Sequence, residues 1–287
     1  MAAVGWLPLV ILTASAAWAT TVLPAWLGMW CLALACFAGV KWLTLAAVWK
    51  QCPISTRQAL SYLLLWPGMD ASTFLHRHAS ARPGLDELSF HALQLLAGLV
   101  LLFGVVPQMA VTQPLIAGWA AMAGILLVLH FGVFQIMSWL WRRAGVDAQP
   151  IMNRPLLSRS LSEFWSRRWN LAFRDVAHTF VFRPLLPIIG PRGATLAAFL
   201  VSGLVHDLVI SVPVRSGLGL PTIYFLLQGA GVLLQHVGLG KRLGLGGGAA
   251  GRVFAALLVI GPAPLLFHSA FLEQAVLPTV AALGACL

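Results

Sequence analysis

The sequence predicts an all-α integral membrane protein, a bundle of about eight transmembrane helices with additional re-entrant or interfacial helices. Three observations carry this: the composition, the apolar runs and the placement of the basic residues. The 287 residues are 60% hydrophobic, with mean hydropathy +0.88 and 9% charged. A soluble domain carries roughly a quarter charged residues, so this chain lacks the polar side chains to cover a water-exposed globule. That excludes an ordinary cytosolic enzyme, a nucleic-acid-binding domain and a disordered chain. No separate polar block divides the chain, so residues 1–287 read as a single membrane domain.

A span needs about 20 mostly apolar residues to cross about 30 Å of hydrocarbon. Runs of this kind occur at 4–20, 26–48, 88–106, 115–140, 193–212, 220–238 and 253–272. Shorter apolar pieces at 58–69 and 274–286 are too brief to cross comfortably and are expected to be re-entrant or interfacial. Pro24, Pro107, Pro114 and Pro221 punctuate the runs where turns are wanted. No charged side chain occurs in the first 40 residues, so the basic region of a signal peptide is missing and a retained first span is expected. Cys31, Cys36, Cys52 and Cys286 have neither metal-ligand nor disulfide-framework spacing and read as small hydrophobes.

The 18 Lys+Arg against 8 Asp+Glu give a net charge of +10, which reads as topology. If 58–69 dips in and returns, Lys50, Arg57, Arg77, Arg82, Arg142, Arg143, Lys241, Arg242 and Arg252 fall on one side. The positive-inside rule makes that side cytoplasmic. Arg215 is the exception. Residues 141–189 form the one extended polar segment, a basic cytoplasmic stretch with eight arginines. Gly244–Gly248 is a short glycine-rich turn that lacks the Lys-Ser/Thr of a phosphate-binding loop.

Within the basic segment, Ser160 to Glu163 fits a helix-capping box. Leu161, Trp165, Trp169, Ala172, Val176 and Phe180 recur at helical spacing, as do Glu163, Arg167, Asn170, Arg174 and His178 on the opposite stripe. An amphipathic interfacial helix over about 160–180 is expected, and by pattern alone it reads as a helix attracted to anionic lipid. The second feature is intramembrane: His206 and Asp207 interrupt the apolar run 196–210. An acidic residue at a helix centre costs about 2.5–3.5 kcal/mol, which makes intramembrane ionisable residues functional candidates by default. Consecutive helical residues diverge by about 100°, so Asp207 is poorly placed to orient the imidazole and is expected to hold the helix against a neighbour. The structural alternative for His206 is a bond to a backbone carbonyl. For Ser202, one turn earlier, it is a hydroxyl bonded to the carbonyl four residues back. Gly203 removes a side chain where a substrate or another helix approaches. His76-Arg77-His78 lacks the clustered histidine boxes of a di-iron enzyme, and no metal is expected. His91, His130, His178, His236 and His268 stand singly and read as structural.

Together these segments resemble a known family. Ser162-Glu163-Phe164-Trp165-Ser166-Arg167-Arg168-Trp169-Asn170, with Arg183-Pro184 twelve residues on, is similar to the S-x-x-F-W-x-R-R-W-N stretch of wax-synthase-like membrane-bound O-acyltransferases. Ser202-Gly203-Leu204-Val205-His206-Asp207 is similar to that family's S-G-x-x-H-E/D segment. Leu65 to Met69 and Leu266-Phe267-His268 are similar more weakly. The resemblance is carried by about 150–210.

It implies helices around an interior tunnel and transfer of a fatty acyl group from acyl-CoA, a co-substrate rather than a cofactor, to a long-chain alcohol that arrives from the bilayer. By position it makes His206 the catalytic histidine and Asn170 the second active-site residue. General-base catalysis by a neutral imidazole suits a weakly nucleophilic alcohol, and an amide at Asn170 suits the thioester carbonyl or the acceptor. Arg167, Arg168 and Arg174 would receive the CoA phosphates, and Trp169 with its neighbours would wall the entrance. A sterol, glycerolipid or secondary-metabolite acceptor and an acyl carrier protein donor stay open within this reading. A proton-coupled transporter using His206 and Asp207, or a noncatalytic lipid-binding scaffold, are readings from other classes. The expected partners are acyl-CoA, the lipophilic acceptor and membrane lipids, without nucleic acid. His206 lies about 14 residues beyond Arg192, or about 21 Å of helix. One active site therefore requires a tilted 160–180 helix, or a 193–212 run that begins deeper or breaks.

Overall fold

The computed structural model describes residues 5–49, 53–75 and 82–285. Lys50, Cys52, His76, Arg77, His78 and Cys286 lie outside the described residues. The described chain is helical and without strands. Among the described residues, five helices are long and apolar enough to cross a membrane: α2 (Ala25–Trp49), α4 (Leu85–Met109), α5 (Pro114–Arg143), α6 (Leu171–Val214) and α8 (Gly248–Leu266). Shorter helices are α1 (Leu7–Ala19), α3 (Thr56–Leu65), α7 (Leu220–His236) and α9 (Ser269–Gly284). The coarse expectation of a helical membrane protein is met. Pro107 differs from expectation, because it begins the last turn of α4 rather than a loop.

The chain forms two compact units, Met1–Ile151 with Ala270–Leu287, and Met152–Ser269. In the first, α1 packs on α2 where Gly39 leaves no room for a Cβ, which would lie 2.5 Å from the Leu9 Cα. The piece at 58–69 is no span: α3, begun by a Ser55/Gln58 capping box, gives way to extended chain at Trp66–Met69 whose residues are all buried. Lys41 on α2, 1% exposed, holds that chain by donating to the Gly68 carbonyl at 2.7 Å. Its Nζ also lies 3.1 Å from the Tyr62 ring centre, so the buried amine meets both a carbonyl and a π-face. At the end of α5, Arg142 pairs with Glu87.

In the second unit, α6 and α7 pack side by side along glycines. A Cβ on Gly203 would come 2.6 Å from the Thr222 Cα, and one on Gly229 would come 3.0 Å from Phe199. Helix α6 is broken at Gly190, at φ 70° and ψ 175° between Pro187 and Pro191. A residue at that φ is one for which glycine lacks the steric penalty of a side chain, and each proline removes a helical donor.

Candidate active site

The expected continuous helix over 160–180 is not what forms. Ser160 starts a helical turn as expected, its Oγ accepting the Glu163 N–H at 3.1 Å. The return bond differs: the Glu163 carboxylate accepts the N–H of Arg159 at 2.7 Å, not that of Ser160. Residues 164–168 then widen, with the Trp169 N–H donating to the Phe164 carbonyl five residues back at 2.9 Å. At Trp169 the chain turns extended, and at Asn170 it is left-handed, at φ 42° and ψ 60°. Helix α6 begins after it. Long-range bonds fix the interruption, because the Asn153 N–H donates to the Arg168 carbonyl at 2.8 Å and the Asn170 N–H reaches the Met152 Sδ at 3.2 Å. Asparagine tolerates this conformation better than most residues, and its Oδ1 caps α6 by accepting the Phe173 N–H at 3.5 Å.

The motif's arginines divide. Arg168 pairs with Glu163 at 2.6 Å and also reaches the carbonyls of Asn153 and Arg154 at 3.3 and 3.4 Å. The Arg159 N–H foremost, and the Arg168 guanidinium after it, hold the Glu163 carboxyl below the usual carboxylate range against the cost of its desolvation. Arg174 pairs with its neighbour Asp175 at 3.2 Å on an exposed surface. Arg167 is exposed. Trp169 stacks on Phe164, with ring centres 5.4 Å apart.

His206 ends the regular part of α6, and its Nδ1 lies 2.7 Å from the Ser202 carbonyl. A carbonyl only accepts, so this bond puts the ring proton on Nδ1 and leaves Nε2 as the basic nitrogen of the neutral ring. The carbonyl bond of the structural alternative is therefore present, and it makes Nε2 the acceptor nitrogen of the ring. The imidazole packs against Phe225 of α7 at 4.4 Å. Trp165, from the motif segment, meets the same Phe225 at 5.7 Å and Phe199 at 5.8 Å, and its Nε1 donates to the Gln228 Oε1 at 3.2 Å. Phe225 thus joins the two sequence motifs. The Asn170 side chain is bonded to the start of its own helix.

Ser202 and Asp207 behave as their structural readings expect. The Ser202 hydroxyl returns to the Ala198 carbonyl at 2.9 Å. Asp207, 8% exposed, accepts the Gly219 N–H at 2.7 Å, the Thr222 N–H at 3.1 Å and the Thr222 hydroxyl. Its carboxylate therefore caps α7, where free N–H groups and the helix dipole favour an anion. The residues that sequence reasoning missed lie on α7. Gln228 and Gln235, both buried, are seven apart with Gly231 between them. Gln235 accepts the Ser162 N–H at 2.9 Å and donates to the Leu245 carbonyl, while Gln228 donates to the Leu258 carbonyl at 2.7 Å. Gly231 leaves space for Leu161, whose Cδ2 lies 2.7 Å from where a Cβ would be. Two glutamines on one face of an apolar run were the available signal. Among the described residues no group of three or more His, Cys, Asp or Glu is placed to hold a metal ion.

Comparison with known proteins falls on this same stretch. Residues 148–227 match the membrane bound O-acyl transferase family. The resemblance to wax-synthase-like members of that family is borne out by this match together with the relatives that follow. A probable long-chain-alcohol O-fatty-acyltransferase 2 of Arabidopsis thaliana is 40% identical over 118 residues, covering 38% of this chain and 33% of that protein. The long-chain-alcohol O-fatty-acyltransferase of Simmondsia chinensis is 38% identical over 71 residues, 22% of this chain and 20% of the relative. Acyl-CoA–sterol O-acyltransferase 1 of Arabidopsis thaliana is 35% identical over 73 residues, 23% and 21%. The chain spans about a third or less of the length of these relatives.

Proposed function

We propose that this chain is a membrane O-acyltransferase that moves a fatty acyl group from acyl-CoA to the hydroxyl of a long-chain alcohol. The observation that carries the reading is the Ser202–His206 bond, which leaves a basic Nε2 on the imidazole that shares Phe225 with the motif's Trp165. The alcohol oxygen attacks the thioester carbon while Nε2 takes its proton, and the tetrahedral adduct then collapses. The C–S bond breaks, and the imidazolium returns the proton to the CoA sulfur. General-base assistance of this kind is worth roughly 10²–10⁴-fold. The Asn170 cap uses Oδ1, so its Nδ2 is the donor offered to the developing oxyanion. Arg168 and Arg174 already hold ion pairs, which makes exposed Arg167 the foremost of the three arginines for the CoA phosphates, with Trp169 beside them. About eight spans around an interior tunnel, with the basic loops cytoplasmic, complete the proposal.

A sterol acceptor is the second reading, favoured by the similarity to an acyl-CoA–sterol O-acyltransferase. The test supplies purified protein in detergent with labelled palmitoyl-CoA and a panel of alcohols, sterols and diacylglycerol. Ester should form with a long-chain alcohol and fall at least about a hundredfold in His206→Ala. Ester formation that survives the substitution removes His206 from the chemistry. No ester from any acceptor, with proton-driven uptake in vesicles, replaces the enzyme by a transporter.

A further inference from the structure

Beyond the proposed chemistry, the second unit contains a buried polar network of Asp207, Ser211 and His268, which are 8%, 0% and 7% exposed. The Ser211 Oγ lies 3.2 Å from the Asp207 Oδ1, 3.2 Å from the Gly217 carbonyl and 3.5 Å from the His268 Nε2. A hydroxyl has one proton and two lone pairs. Ser211 therefore donates to Asp207 or to Gly217, and its oxygen is open to an N–H from His268. The imidazole also lies close against Gly217, where a Cβ would come 2.5 Å from Cδ2 and Nε2 and φ is +71°. The network closes on one turn. Arg215, Gly217 and Gly219 are all left-handed, and this turn joins α6, which bears His206, to α7, which bears Phe225. Asp207 holds the far side of the turn through Gly219 and Thr222.

We propose that His268 is a positioning residue for acyl transfer: through Ser211 it fixes the Asp207 anchor and the 215–219 turn, and so sets Phe225 against the ring of His206. This rests on the acyltransfer reading. A nucleophilic role for Ser211 does not arise, because at 0% exposure no substrate atom reaches its hydroxyl. Breaking the link removes one of the ties that hold the turn and loosens the start of α7, while the surfaces that receive the acyl donor stay as they are. The loss therefore falls on kcat.

The test compares wild type, His268→Ala, His268→Gln, Ser211→Ala and the Ser211→Ala/His268→Ala double variant with palmitoyl-CoA and the best alcohol. In His268→Ala, kcat should fall about tenfold with KM for palmitoyl-CoA within about twofold. His268→Gln, which keeps an N–H donor at a similar reach, should recover to within about threefold of wild type. The double variant should be no slower than the worse single variant, because both substitutions cut one link. A second readout does not depend on turnover: the rate at which diethylpyrocarbonate modifies His206, located by mass spectrometry, should rise in His268→Ala and return in His268→Gln. Unchanged kcat in an active His268→Ala enzyme, equal loss in the Ala and Gln variants, or additive losses in the double variant would each overturn the proposal. Should His268→Ala fail to fold, Ser211→Ala reads the same link, and normal kcat there overturns the proposal too. Wild-type protein that makes no ester sinks the acyltransfer reading itself, and the modification rates then report separately whether His268 sets the environment of His206.

Discussion

One substitution separates the helix-capping role of Asn170 from the chemical role proposed for its amide. Its left-handed backbone costs a residue with a Cβ about 1–2 kcal/mol, a cost that glycine escapes. Asn170→Gly therefore keeps the interruption between the motif and α6 while deleting the amide, whereas Asn170→Ala adds strain. We expect Asn170→Gly to melt within a few degrees of wild type, about 1 kcal/mol or less, yet to lose ester formation. Full turnover in that variant would leave Asn170 a structural residue only. Glu163 gives a pH signature. Its folded-state carboxyl is held below its ordinary value, so its contribution to stability is present above the unfolded value of about 4.3. That contribution is lost as pH falls through the folded-state value. Glu163→Gln should melt below wild type near pH 7, and the gap should close in acid melts; a gap that persists at the lowest pH contradicts the assignment. The side chain is partly exposed, so the effect belongs with the small surface pairs.

At the scale of elements, close approach of backbones decides the second unit. Gly203 meets the Thr222 Cα, an atom that cannot swing aside. Gly203→Ala should therefore cost about 1–3 kcal/mol, read as a lower melting temperature in detergent. Gly238→Ala, with nothing within 4 Å of its Cβ position, is the control and should melt as wild type does; equal melting of both variants would refute the close packing of α6 on α7. The apolar runs were legible because a span must satisfy its backbone within itself, so its signal is local. The interruption at Trp169 and Asn170 was not. Apolar residues at spacings of three and four continue through it, and it is fixed by Met152 and Asn153, which periodicity does not include. Helix α6 breaks at Gly190, just ahead of the 193–212 run, and Pro187, Gly190 and Pro191 are its visible cause.

For the whole molecule, the distribution of charge is the testable quantity. Cysteines placed at Arg143 and Arg242 in a background without native cysteines should both react with a membrane-impermeant maleimide from the cytoplasmic side. Labelling of the two from opposite sides would refute the one-sided arrangement of the basic loops. The sequence by itself determined membrane residence, the apolar runs, the histidine and the motif, because hydropathy and residue chemistry are local properties. It also foresaw that Asp207 serves a neighbouring helix, since adjacent helical residues point about 100° apart. Only the tertiary structure decided that the neighbour is α7, that Phe225 joins Trp165 to His206, and that Gln228 and Gln235 clamp the motif. Those are contacts between residues 60 to 73 positions apart along the chain or brought together across a turn. Glycines and buried polar groups select them by which surfaces can touch, and no pattern within one helix contains that information.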